Sequence, residues 1–416
     1  MPNRNVFQCA PLVAVCILAP LMSGDAVAGI ETRELSGRLS VESRWHPKTG
    51  AWSGQRSHGS GIVVEPRVYL EDTRGRSFTL APFLRLDAGD ERRTHADLRE
   101  AYFLVFGEVR GQEWEVRLGV DRVFWGVTES RRLVNIVNQI DLVEHPYKEP
   151  SMGQAMAHLT MSGDWGAVEV FGMTGHRART FPGRSGRLRF PLVVDNERVS
   201  YESDAGRWRP EFAARFSRSS GDMDVGVSVF DGNSREPVLS PGIDPNGRPV
   251  LLPGYERIRQ FGLDAQLTAG PWLFKLEGLG RAGARDRRGV EEDYVAATLG
   301  GEYTVYSVFG SAADLSLIGE WNYDGRGRNA TNIFQNDLFL AARLAFNDIQ
   351  STEVLGSLMD DFDTTTRVLT FELNRRISGR FSLHLEAIAL LDVDAGDLSY
   401  ASRRDSFVEM HLVYNH

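Results

Sequence analysis

Apolar and polar residues alternate with a period of two along most of the chain. Leu35, Gly37, Leu39, Val41 and Trp45 fall on one face of such a segment, and Arg38, Ser40, Glu42 and Arg44 fall on the other. Phe78, Leu80, Pro82, Leu84 and Leu86 oppose Thr79, Arg85 and Asp87. Trp114, Val116, Leu118 and Val120 oppose Glu115, Arg117 and Asp121. Phe274 and Leu276 oppose Lys275 and Glu277, while Leu315, Leu317, Trp321 and Tyr323 oppose Ser316, Glu320 and Asn322. Phe381, Leu383 and Leu385 oppose Ser382, His384 and Glu386. This period marks strands with one face in an apolar medium and one in a polar medium. It predicts an all-β chain of about eighteen segments near the ten residues a tilted membrane strand needs. Sixteen is the alternative count if the weak segments 156–162 and 354–359 are not strands. Segment 98–106 is apolar on both faces and has no readable orientation.

The connections alternate in length. Short ones fall near 72–76, 109–112, 163–164, 219–222, 269–271, 347–351 and 376–379. Longer ones fall near 46–59, 126–154, 174–208, 231–256, 324–334 and 392–402. A transmembrane antiparallel barrel sorts its connections in this way, with short periplasmic turns and long outer loops. A soluble sandwich has no reason to.

Aromatic placement supports the same reading. With the first strand running outward, Phe78, Trp114, Trp272, Tyr303, Phe346, Phe381 and Tyr414 fall at periplasmic strand ends. Trp45, Trp321 and Tyr323 fall at outer ends. All ten have the parity of the apolar face, as interfacial aromatic girdles require. The last segment, 407–416, alternates Val408, Met410, Leu412 and Tyr414. It resembles the C-terminal targeting strand that the barrel assembly machinery recognises, although it ends in His416 rather than Phe or Trp.

The N-terminus places the chain. Arg4 precedes an apolar core over residues 10–22, followed by Ala26-Val27-Ala28 and Gly29. The core is too short to span a bilayer, so residues 1–28 read as a signal peptide and 29–416 as a single exported domain. Cys9 and Cys16 both lie in that leader, so a processed chain has no disulfides to staple it. After Gly29 no apolar run reaches a transmembrane helix, and the net charge is −9. Both features fit a barrel, in which only alternate residues meet lipid. The expected location is the outer membrane of a Gram-negative cell. Outer-membrane lipid, lipopolysaccharide and small solutes are the expected partners, and nucleic acid is not.

Motifs for chemistry are weak. Gly278, Gly280 and Gly283 match a dinucleotide-binding string, but a charged loop follows instead of the helix that would hold a pyrophosphate. The nine His residues show no metal-ligand spacing. His384 and Glu386 share a lumenal parity without a Ser/His/Asp set around them. The acidic stretches 359–366 and 392–397 lack the ligand order of a calcium loop and read as solvated loops. Neither an enzymatic activity nor a cofactor or metal is expected.

With a barrel argued, residues 117–142 resemble a segment of an uncharacterised family of proteobacterial outer-membrane barrels. In that family a strand ends in Trp-Gly, here Trp125-Gly126, and leads to an Asn-x-x-Asp-like element, here Asn138 and Asp141. Residues 179–189 and 230–237 resemble other loops of the group. The resemblance implies a porin-like fold and no assigned substrate.

The interruption at 126–154 is the candidate functional element. Leu133, Ile136, Val137 and Ile140 recur at helix-like spacing between charged flanks. A loop folded into the barrel mouth could pack that stripe on the inner wall, and a helix lying over the barrel is the alternative. On the inward reading Glu129, Arg131, Arg132 and Asp141 line a constriction, with Arg117 and Asp121 of the preceding strand as their neighbours. The lumenal face mixes Arg38, Arg85, Arg117, Arg215, Lys275 and Arg343 with Glu42, Asp87, Glu277, Glu320 and Glu386. Mixed charge of this kind suits a hydrated channel for small polar solutes. Passage of hydrophobic compounds, or a non-conducting surface receptor or adhesin, are the competing readings.

Overall fold

The computed structural model describes residues 29–145 and 147–416, so the predicted leader, residues 1–28, lies outside the described residues. Its strands are β1 (Ile30–Trp45), β2 (His58–Asp72), β3 (Ser77–Asp87), β4 (His95–Val109), β5 (Gln112–Asp121), β6 (Gln154–Gly163) and β7 (Gly166–Met173). These are followed by β8 (Ser200–Tyr201), β9 (Glu211–Ser220), β10 (Met223–Asn233), β11 (Val238–Ile243), β12 (Pro249–Tyr255), β13 (Arg257–Ala269) and β14 (Trp272–Ala282). The last seven are β15 (Tyr294–Val305), β16 (Asp314–Asp324), β17 (Asn336–Ala345), β18 (Glu353–Asp361), β19 (Arg367–Arg376), β20 (Phe381–Leu391) and β21 (Phe407–Asn415). Eighteen form one sheet; β8, β11 and β12 form a separate three-stranded sheet within the long connections. Each of the eighteen pairs antiparallel with its chain neighbours, and β21 pairs with β1 from Arg38↔Asn415 to Trp45↔Val408. The sheet is therefore a closed barrel with every ladder paired, which is how backbone crosses hydrocarbon. Among the described residues no helix is long and apolar enough to cross a membrane; the strands do so.

Both weak segments are strands, β6 and β18. The tightest turns lie at one end of the barrel. Between β4 and β5, Arg110 and Gly111 both have positive φ, 53° and 77°. Two left-handed residues make the turn type whose twist matches two paired strands. The long connections after β1, β5, β7, β10, β16 and β20 lie at the opposite end.

The outward face is apolar. Leu39, Val41, Leu118, Phe274, Leu317, Leu369 and Leu412 are exposed there. The ten aromatic positions lie on this face, exposed or half-exposed. Trp272 packs beside Phe274 and Tyr303 with ring centroids 5.7 and 4.6 Å away, and Phe381 sits 5.3 Å from Tyr414. Phe346 lies one residue beyond β17.

The unreadable segment 98–106 has a structural cause. Pairing of β3 with β4 shifts between Ala81 and Pro82, so that Ala81 faces Glu100 while Pro82 faces Leu98. Arg99 is the extra residue of a bulge. Arg99 and Glu100 are both buried, and the outward parity changes from Ala96 and Leu98 to Phe103. A bulge reverses which face later residues occupy.

A barrel this wide is not filled by its wall side chains and leaves a channel unless something enters it. Here the β5–β6 connection, residues 122–153, enters it.

Candidate pore constriction

The inward loop is held by its own side chains before it meets the wall. The Asn138 side chain accepts from Val123 N at 2.8 Å and donates to the carbonyls of Asp121 and Met152 at 2.9 and 2.8 Å. One amide thus ties the two legs of the loop together at its root. Asn135 accepts from Trp125 N at 3.3 Å. Asp141 N donates to Pro150 O and Met152 N to Gln139 O, both at 2.8 Å. The helix-like spacing of the stripe does not produce a helix: residues 131–139 are irregular turns. Side-chain amides and wall carboxylates take the place of the helical backbone bonds.

Two wall carboxylates hold the first leg. Glu277 of β14 accepts from Val127 N at 2.7 Å, Thr128 N at 2.9 Å, Thr128 Oγ1 at 2.7 Å and Val134 N at 3.2 Å. Glu320 of β16 accepts from Glu129 N at 2.9 Å, Ser130 N at 2.8 Å and Ser130 Oγ at 2.6 Å. Gly126, at φ +122°, permits the close approach, because a Cβ there would lie 2.7 Å from Glu277 Oε1. A carboxylate ringed by backbone N–H groups replaces the water those donors would lose on entering the lumen.

The apolar stripe packs on the inner wall. Leu133, Val134, Ile136, Val137 and Trp125 form one buried cluster with Met156, Phe171, Ala213, Phe230, Ile258 and Leu279 of the facing strands. Val134 and Val137 have no exposed surface. Trp125 meets Phe171 edge-on with centroids 5.6 Å apart. The wall residues Phe171, Phe230 and Ile258 have lumenal parity, yet they are apolar. Their signal is present in the sequence as apolar residues on both faces of these strands near the long-loop end.

The second leg is held by charge. Asp141 Oδ2 lies 2.8 Å from Arg99 Nη2, and Asp141 Oδ1 accepts from Thr180 Oγ1 at 2.6 Å. Burial pushes the Asp141 carboxyl up, but His95, Arg99 and Thr180 outweigh it and hold it well below its ordinary range. Glu144 bonds Arg85 at 2.7 Å, and Arg85 also pairs with Glu42. His145 Nε2 sits 3.0 Å from Glu386. Burial lowers the His145 pKa despite that carboxylate. Lys148 Nζ lies 2.9 Å from Glu372.

These positions revise the expected lining. Asp141 is 1% exposed and anchors the loop rather than facing an opening. Arg131 is buried against Asp324 at 3.4 Å and borders a chamber on the outer side. Arg117 and Asp121 do not serve the loop's charges. Arg117 lies 2.7 Å from Glu115 and 3.3 Å from Asp121, so it is satisfied along its own strand. Glu129 does reach lumenal charge, with Lys275 at 2.9 Å and Arg343 at 3.3 Å, and its side chain is 35% exposed. Lys148, 37% exposed, and Glu372 were not anticipated. Facing them, β18 is half-exposed from Glu353 to Asp360, on its lumenal as well as its outer side. The loop edge reaches the β17–β19 wall at two points, Glu129 beside Arg343 at 3.3 Å and Lys148 beside Glu372 at 2.9 Å.

The loop divides the interior. Below it, toward the short turns, lies a chamber of 740 Å³ bordered by Arg38, Arg85, Arg99, His145, Lys148 and His384. Above it lies a chamber of 260 Å³ whose borders include Arg131, Arg132, Ile136, Tyr147 and Glu149.

No family model and no curated protein matches the chain. Among solved structures, a variant of the Rhodopseudomonas blastica porin is similar, with a TM-score of 0.44 and 12% identity over 92% of this chain and all of that one. A triple mutant of the same porin gives 0.42 and 11% over the same shares. A structure concerned with the asymmetric conductivity of engineered proteins gives 0.44 and 12%, also over 92% and 100%.

Proposed function

We propose that this barrel is a porin-like channel of the outer membrane, passing small polar solutes through the arc that residues 122–153 leave uncovered. The observation that supports this reading is a loop fixed across the lumen at several walls, with charges of both signs along one side of it, Glu129 and Lys148 the most exposed of them. Glu129, Glu302 and Glu372 face Lys148, Lys275 and Arg343 there. A hydrated passage with mixed charge admits polar solutes while excluding large ones. Reconstitution in planar bilayers should give discrete conductance steps in potassium chloride. A folded barrel that gives no steps would favour the receptor reading instead. Passage of hydrophobic compounds is favoured by a separate feature, the apolar walls of the outer chamber.

A further inference from the structure

The outer chamber has a chemistry of its own. It lies at the mouth of the barrel, floored by the inward loop and roofed by the long connections. Leu133, Ile136, Phe181, Phe190, Leu239 and Phe334 give it apolar walls. Arg132, Arg179 and Arg189 border the same space. The other bordering arginines are matched: Arg131 with Asp324, Arg235 with Glu211, and Arg281 with Glu236. No carboxylate of the described residues lies within 4.0 Å of Arg132, Arg179 or Arg189. Arg132 and Arg179 make single weak bonds, to Lys148 O at 3.4 Å and to Gln139 Oε1 at 3.3 Å. Arg189 is buried, bonds only carbonyls, and leaves Nε without a partner.

We propose that this chamber binds an amphiphilic organic carboxylate, its apolar body against the aliphatic and aromatic walls and its carboxylate on the guanidiniums of Arg179, Arg189 and Arg132. The proposal rests on the channel reading, since it makes the chamber the first binding site on the passage.

Three features select this class. A guanidinium removed from water without a counter-charge is costly, and Arg189 is buried with carbonyls but no carboxylate around it, while Arg132 and Arg179 are half-exposed beside it. A guanidinium offers a planar fork that matches a carboxylate. An inorganic anion would satisfy the forks but leave the apolar walls wet, and a neutral hydrophobe would do the reverse. The two bordering carboxylates do not cancel the positive excess. Glu236 is engaged by Arg281 and Arg326 at 3.5 and 3.6 Å. Burial raises the Glu149 pKa against the opposing pull of Arg179, Arg131 and Arg132, and these two carboxylates stand among six bordering arginines. The volume of 260 Å³ is just below the range of about 300–1,000 Å³ for ligand sites, which suits a compact body such as a benzene ring or a short alkyl chain.

The test is isothermal titration of the folded barrel in a non-ionic detergent with benzoate, benzyl alcohol and benzylammonium, which share a ring and differ in charge. Saturable benzoate binding is expected, at least tenfold tighter than benzyl alcohol, with no saturable binding of benzylammonium. Arg179→Gln with Arg189→Gln should weaken benzoate tenfold or more and leave the alcohol within twofold. Heat-modifiable migration on gels reports that the variant has assembled, and Arg132→Gln provides a second variant on a separate loop. Equal affinity for benzoate and benzyl alcohol, or unchanged benzoate affinity in assembled variants, overturns the proposal. Conductance in potassium chloride separates the two readings: steps without benzoate binding remove the site and keep the channel. Binding without steps removes the channel and keeps the site.

Discussion

Glu277→Ala tests how the inward loop is held. The substitution removes the acceptor of Val127 N, Thr128 N, Thr128 Oγ1 and Val134 N at once. An orphaned buried donor costs ~1–3 kcal/mol, so the three backbone groups alone carry ~3–9 kcal/mol if nothing replaces Glu277. Water and the relief of a buried carboxylate offset part of this. Against it stands the apolar stripe. Leu133, Val134, Ile136 and Val137 are all buried, and each contributes ~1.5–3 kcal/mol, or ~6–12 kcal/mol together. The stripe outweighs the lost anchor, so the loop should stay in the lumen while segment 127–130 frays. Glu129 lies in that segment, so the opening beside it should fluctuate. Single-channel recordings should show mean conductance raised less than twofold and a clear increase in open-channel noise. Adding Glu320→Ala removes the Glu129 and Ser130 anchors and should raise both further. Conductance and noise equal to wild type in an assembled double variant would refute the role given to these carboxylates.

Gly126→Ala should reproduce part of the Glu277→Ala phenotype, because its Cβ would clash with Glu277 Oε1 and its φ is left-handed; wild-type noise would contradict this. Asp141→Ala leaves Arg99 to Asp97, 2.9 Å away and shared with Arg177, and removes the acceptor of Thr180; it should cost ~1–3 kcal/mol, read as a lowered midpoint in detergent unfolding, with an unchanged midpoint contradicting it. Burial and Arg235 lower the His176 pKa to about 3. Above the ordinary value near 6.5 the ring is neutral folded and unfolded; below it only the unfolded chain takes up the proton, so stability is lost as pH falls. Glu256, raised to about 7 by burial, works in the opposite direction. The stability advantage of wild type over His176→Gln should therefore shrink by about 2 kcal/mol between pH 7.5 and 5, and a constant difference would rule out a neutral buried ring. Unpaired Arg179 and Arg189 at the mouth should give weak anion preference at low salt, lost as the Debye length falls below about 10 Å. Clear cation selectivity from reversal potentials would contradict that.

Much of the wall was legible because strand parity is a local property. Leu39 and Val41, Phe274 and Leu276, and Leu315 and Leu317 report the lipid face wherever strands run without interruption. Parity failed at Arg99 and Glu100, where a bulge depends on how β3 and β4 pair and leaves no local mark. The apolar stripe of the loop was visible, but its conformation was not. Spacing at Leu133, Ile136 and Val137 matches a helix, whereas Asn135, Asn138 and Glu277 supply bonds that make an irregular loop stable. The lining charges were least legible. Arg131 and Asp141 look like lining residues when isolated in a loop. Their partners Asp324 and Arg99 lie on distant strands, and only the closed barrel brings them together. Lys148 and Glu372 met for the same reason.

The most direct measurement is single-channel conductance after residues 134–144 are replaced by a short Gly/Ser linker, with barrel assembly checked by heat-modifiable migration. The replacement removes Val134, Ile136 and Val137 from the wall and Asp141 and Glu144 from Arg99 and Arg85. A loop that constricts the passage requires conductance to rise severalfold. Wild-type conductance in an assembled barrel would contradict it and place the narrowest point elsewhere.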